Sequence, residues 1–136
     1  MSAMSNYLEN ELIKHIFRTG SFTKPTVLAV ALFTAAPSDA GGGTEVSGGS
    51  YARVDRPPLD ANWAATSGTD GHTDNVADIV FPAPTADWGQ VTHFGVFNAT
   101  SAGDLIFWGA LTTPKTVNNG DPAPKWVVGD MDFTLA

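Results

Sequence analysis

The run Thr-Val-Leu-Ala-Val-Ala-Leu-Phe-Thr, from Thr26 to Thr34, constrains the fold more than any other stretch of this chain. It follows Pro25, is too short for an independent helix and is rich in strand formers. Its even positions carry Leu28, Val30 and Leu32; its odd positions carry Val27, Ala29, Ala31 and Phe33. Successive side chains of a strand point to opposite faces, so both faces here are apolar and both must be covered. The run belongs in the middle of a sheet. Its small alanines let another element approach closely, and a helix just upstream is the obvious partner.

That helix is predicted over about Tyr7 to Thr19. Asn6 is placed as its N-cap, with Glu9 as the capping-box partner, and Gly20 as the C-terminal stop. Glu9 and Glu11 lie early and Lys14 and Arg18 late, as the helix dipole prefers. Leu8, Leu12, Ile13, Ile16 and Phe17 fall on one stripe at helical spacing. Such a stripe either caps the domain core or docks onto a neighbouring subunit or a host surface.

The rest of the chain is punctuated by glycine and proline, 14 and 9 residues without a fixed period, which suits short strands joined by turns. Pro37 to Gly49 reads as a flexible connection; it lacks the Lys-Ser/Thr ending of a phosphate loop. Strands are predicted over Ser50 to Val54, Val76 to Phe81, Gln90 to Asn98, Leu105 to Leu111 and about Lys125 to Leu135, with Gly129 as a bulge. Ala99 to Asp104 reads as a hairpin loop, and Asn118-Asn119-Gly120-Asp121 as a turn. The expectation is a mainly β fold: an antiparallel β-sandwich or partly closed barrel of about six strands with one N-terminal amphipathic α-helix. Residues 1–136 form a single domain, with the helix at about 7–19, the β domain at about 26–136 and an irregular loop at about 55–75. The polar segment Asp55 to Asp74 is expected to be an exposed excursion from the core.

Charge narrows the partners. Seven Lys and Arg stand against fourteen Asp and Glu, a net charge of −7, and no basic run occurs. Nucleic acid and anionic membranes are disfavoured, because phosphate binding needs clustered cations. With no cysteine, disulfides and thiolate metal sites are excluded. Met1 to Asn10 is polar and does not read as a signal peptide, and Val27 to Phe33 is too short to span a bilayer. The expected place of synthesis is the cytoplasm.

No reaction chemistry stands out. His15 has no partner at helical ligand spacing, and His93 reads as a packed strand residue. Asp70-Gly71-His72-Thr73-Asp74-Asn75 has carboxylates at alternating positions, as a hard cation requires, but lacks the length and closing Glu of an EF-hand. It reads as a solvated loop. No serine lies in a nucleophile elbow. Asp130 and Asp132 share a strand face and read as a solubilising charge pair. No catalytic residue, cofactor or metal site is assigned. Of the four tryptophans, Trp108 and Trp126 are placed in the core. Trp63 and Trp88, near loops, are candidates for an interface or a glycan contact.

Several stretches carry a resemblance. These are Tyr7-Leu8-Glu9-Asn10-Glu11-Leu12, Arg18-Thr19-Gly20, Lys24-Pro25-Thr26, Leu32-Phe33-Thr34-Ala35-Ala36-Pro37 and the run from Gly41 to Arg53. Phe81-Pro82, Ala86-Asp87-Trp88-Gly89, Thr92 to Phe97, Gly103 to Leu111 and Gly129 to Phe133 continue it. Together they resemble a family of small tailed-bacteriophage virion proteins, described as capsid decoration (cement) or tail-fibre-like proteins. The resemblance covers most of the chain except about Asp55 to Asp74. It implies a non-enzymatic structural component of the virion, made in the host cytoplasm. The leading expectation is a decoration protein that binds the major capsid protein or other virion proteins on the outer head lattice and stabilises it. The alternative is a tail-fibre or tail-tip protein that binds a host-surface receptor or glycan. A homotrimer is expected, because a small core leaves apolar surface to cover. The candidate interaction residues are Leu8, Leu12, Ile13, Ile16, Phe17, Trp63 and Trp88. A virion-borne glycan hydrolase would need carboxylates paired across a cleft, which the sequence does not announce.

Overall fold

The computed structural model describes residues 2–68 and 70–135. The first strand, β1 (Ser2–Met4), leads directly into α1 (Asn6–Phe17). The long strands are β2 (Ala29–Ala35), β7 (Gly89–Phe97) and β8 (Leu105–Val117). Between and after them lie the short strands β3 (Thr44–Glu45), β4 (Val54–Asp55), β5 (His72–Asp74), β6 (Ile79–Val80), β9 (Lys125–Trp126) and β10 (Asp132–Thr134). The main sheet has the order β1-β8-β7-β2-β3, with β4 also on the free edge of β2. The described pairings are antiparallel, β5 with β10 and β6 with β9 form two separate ribbons, and the sheets do not close into a barrel.

β2 is the central strand its two-sided pattern predicted: Ala29 through Phe33 are all buried. Val30 and Leu32 face the main core, where they meet Phe94 and Val96 of β7, Ile79 of β6 and Phe133 of β10. The ribbons therefore form a second layer over this face. Ala29, Ala31 and Phe33 point the other way. There the sheet is thin, because Ala31 lies opposite Gly95. A Cβ on Gly95 would stand 2.9 Å from Leu105 Cδ1 and 3.0 Å from Phe33 Cε2, so a side chain at this crossing would need its neighbours to shift.

β8 runs well past the strand expected over Leu105 to Leu111. β1 pairs only with Phe107 to Gly109, which leaves the later part of β8 without that neighbour. Pro114 is tolerated there because it has no ladder partner to deprive. Register shifts between Val91 and His93, where four residues of β8, Leu111 to Pro114, lie between the matching partners Ala110 and Lys115. The expected strand over Lys125 to Leu135 is two strands, β9 and β10. The chain turns between them at Gly129, whose φ of 82° suits glycine. Beyond it Met131 and Phe133 are buried and Asp130 and Asp132 exposed, while Leu135, on the same parity as the buried pair, is exposed where the strand ends.

The helix starts one residue earlier than predicted, and its cap is different. Ser5, not Asn6, is the N-cap: its Oγ accepts from the Leu8 amide at 3.2 Å and also donates to the Leu105 carbonyl. Asn6 instead uses its backbone N–H to reach the Asp39 carbonyl at 2.8 Å. Arg18 closes the helix, so Gly20 lies beyond its end. The segment Asp55 to Asp74 also differs from a simple excursion. Its middle is exposed, but its end forms β5 against β10, and Trp63 packs edge-on against Phe133 at 5.8 Å.

Candidate interaction surface and family membership

The stripe residues of α1 divide along its length. Leu8 is 5% exposed, seated beside the sheet where Ser5 ties the helix to β8. Leu12 is half-buried. Ile13, Ile16 and Phe17 are 54%, 65% and 75% exposed. The helix is thus anchored by its first turn and presents a bare apolar last turn. That turn is cationic: Lys14 lies on it, paired with Glu11 at 2.9 Å, and Arg18 follows. Among the described residues neither Arg18 nor Lys24 has a carboxylate partner.

Trp63 and Trp88, grouped by the sequence, are far from equivalent. Trp88 is 5% exposed; its Nε1 donates to the Gly49 carbonyl at 2.9 Å and its ring meets Tyr51 edge-on at 5.4 Å. It offers no surface to a ligand. Trp63 is half-buried, its Nε1 donates to the Arg56 carbonyl at 3.1 Å, and its ring lines an apolar groove. That groove, of about 590 Å³, is walled by Trp63, Val96, Phe107 and Phe133 and rimmed by Leu59 and Leu135. The structure does not bring Trp63 and the α1 stripe together within one chain. Ser5, Asn6 and Tyr7 adjoin Phe33 and Phe97, whereas the groove holds Val96 and Phe107. Val96 and Phe97 alternate along β7, so the helix root and the groove lie on opposite faces of the main sheet.

Two polar constellations escaped sequence reasoning. Arg53, 9% exposed in its side chain, forks onto Glu45 (Nε–Oε1 2.8 Å, Nη2–Oε2 2.7 Å). Its Nη1 donates to the carbonyls of Ala99 and Ala102, and its guanidinium lies 3.7 Å above the Phe97 ring. One side chain thereby ties the β7–β8 hairpin to the β3 edge. The second is Asn75, 1% exposed. Its amide nitrogen donates to the carbonyls of Ala77 and Val127, and its Oδ1 accepts from the Met131 amide. An isolated Arg or Asn carries no spacing signal, so only the fold reveals these clamps.

The acidic loop closes on itself. Asp70 Oδ2 accepts from Ser67 Oγ at 2.7 Å, and that hydrogen bond holds its carboxyl below the usual range. Among the described residues no three His, Asp or Glu side chains converge as a metal site. Asp132 stands opposite Asp74 in the β5–β10 ladder, with its Oδ2 3.8 Å from His72 Nε2. Asp130 is exposed. No helix is long and apolar enough to cross a membrane among the described residues.

The chain thus combines a stapled β body, a helix with a bare apolar end and a groove on the opposite face of the main sheet. Comparison with known families gives a match over residues 3–134 to the podophage GP4 fiber I protein gp80 family. The chain belongs to this family. It is therefore a podophage fibre-type structural protein, a component of a phage virion. No curated protein matches this podophage fibre protein. The family is one of fibres, which favours the tail-fibre reading of the sequence over capsid decoration.

Proposed function

We propose that this protein is a non-enzymatic fibre subunit, a homotrimer held in the virion by contacts through α1, whose role is to meet a host-surface receptor or glycan. The bare last turn of α1 carries the reading. Three large apolar side chains at i, i+3 and i+4 are left in water beyond a helix root that is firmly capped. A helix that only covered its own core would bury them. Fibre membership supplies the context, and closed cyclic symmetry is the common way for a small chain to cover such a surface.

Purified particles test this directly. Quantitative gel densitometry should give a low copy number per virion, that of a tail appendage. Particles with Ile16→Asp and Phe17→Asp in this chain should lack the protein or carry less of it, and adsorb to host cells more slowly. A lattice-scale copy number with unchanged adsorption would instead make it a capsid decoration protein.

A further inference from the structure

We propose that the free end of α1 of one copy docks into the apolar groove beside Trp63 of a second copy, a head-to-tail contact that deepens the self-association proposed above and rests on it. Ile13, Ile16 and Phe17 are the anchors, in the spacing that an amphipathic helix uses to enter a groove. The helix is about 18 Å long at 1.5 Å per residue, so its tip stands clear of its own root. It cannot serve its own chain, because root and groove lie on opposite faces of the main sheet.

Charge and apolar lining together point to the groove and its occupant. Three of the seven cationic residues, Lys14, Arg18 and Lys24, fall between Glu11 and Asp39, a span without a carboxylate. With Lys14 paired to Glu11, Arg18 is the cation at the apolar tip of this helical arm, on a chain that is otherwise strongly acidic. Two further concavities compare with the groove among the described residues. One, beside β8, is lined by Lys115 and Lys125 together with Asp130 and Asp132, so its charges balance and it offers the arm no net attraction. The other adjoins the arm's own root and is lined by Asn6, Asp39, Glu45 and Asp104. The Trp63 groove has no lysine or arginine in its lining; its ionisable residues are Asp60 and His72. A second copy of this chain therefore offers a fitting occupant: apolar at the centre, cationic at the edge.

The contact joins different surfaces, so it propagates until rotation closes it into a ring. This makes it separable from a helix-on-helix interface. The purified full chain is examined by sedimentation velocity over a concentration series, with circular dichroism to verify folding. The arm variant is Ile16→Asp with Phe17→Asp; the groove variant is Leu59→Lys with Leu135→Lys. All four positions are exposed, and each variant should fold. Each alone should associate about 30-fold more weakly or worse, as loss of a hot spot does. Their equimolar mixture should regain a two-chain species, because one partner keeps its arm and the other its groove. A groove variant that assembles like wild type overturns the proposal, whether the arms pair with each other or the groove takes a host sugar and only adsorption falls. So does a wild-type chain that stays monomeric at every concentration, or a mixture that gains nothing over the variants alone. If either variant loses its fold, Arg18→Glu and Asp60→Lys, both at exposed positions, are scored in the same way. Copy number on particles reads the fibre assignment separately, so either can fail without the other.

Discussion

Tyr51 shows how much one side chain can do in this fold. Its hydroxyl accepts from the Leu32 amide at 2.9 Å and donates to Glu45 Oε1 at 2.9 Å. β3 and β4 cover different parts of the β2 edge, and the phenol fills the gap between them in place of a backbone partner. Burial pushes this phenol well above its ordinary range; the Leu32 amide pulls the other way, and the Glu45 carboxylate adds to the rise. The raised value favours the protonated form in the folded state. Its stabilising share is complete below the ordinary tyrosine value of about 10 and is lost as pH climbs beyond it, when the unfolded chain ionises first. Alkaline titration followed by phenolate absorbance should therefore show one tyrosine ionising together with unfolding. Tyr51→Phe keeps the ring contacts with Phe81 and Trp88 but strands the Leu32 amide, and should cost about 1–3 kcal/mol in urea denaturation at neutral pH. Arg53→Lys should cost roughly 3 kcal/mol, because a lysine cannot fork onto Glu45 while also reaching Ala99 and Ala102. A denaturant midpoint equal to that of wild type would show that the clamp is ornamental.

At the scale of elements, Ser5 and α1 carry the clearest test. Ser5→Ala removes both the cap on the Leu8 amide and the bond to Leu105, and should destabilise the protein by about 1–2 kcal/mol. Asn6→Ala should be nearly neutral, since Asn6 works through its backbone. Thermal melts of the two variants compare them directly. Sequence periodicity found α1, β2, β7 and the Ala99–Asp104 loop because each is decided by residues close in the chain. The hairpin loop is closed by its own Asn98 and Asp104, through Asn98 Oδ1 and the Asp104 amide at 2.8 Å. The cap was misplaced because Ser5 is held by Leu105, a hundred positions away. β3 is a two-residue strand that exists only as a partner of the β2 edge, and no local pattern that short separates a strand from a turn; β4, β6 and β9 are two-residue strands where longer ones are expected over Ser50 to Val54, Val76 to Phe81 and Lys125 to Leu135. Of the interaction surface, the α1 stripe was legible as a stripe. Its division into a buried root and a bare tip was not, because that depends on where the sheet ends beneath it. Trp63 and Trp88 looked alike for the same reason. Gly49, with φ +56°, brings its carbonyl to the Trp88 indole, and that approach settles the burial of Trp88.

For the whole molecule, the question is how much of its stability belongs to the single chain. Its main core is one cluster between the sheet and the two ribbons, and a domain of this size has little stability to spare. The apolar side chains at the tip of α1 add nothing to that core while they stand in water, yet they become buried if copies associate. Association that involves only the folded state stabilises it by mass action, so the melting temperature should depend on protein concentration. A hundredfold rise in concentration should contribute on the order of 2 kcal/mol and move Tm upward by several degrees. Calorimetry at the two concentrations measures this. The variant Leu12→Asp with Ile16→Asp separates core from surface within the same experiment. Leu12 is half-buried and Ile16 is mostly exposed, so Leu12→Asp alone should lower Tm at every concentration. Ile16→Asp alone should leave the dilute Tm in place and abolish its rise. If Ile16→Asp instead lowers the dilute Tm as much as Leu12→Asp does, the tip of α1 is part of the chain's own core and the association must run through another surface.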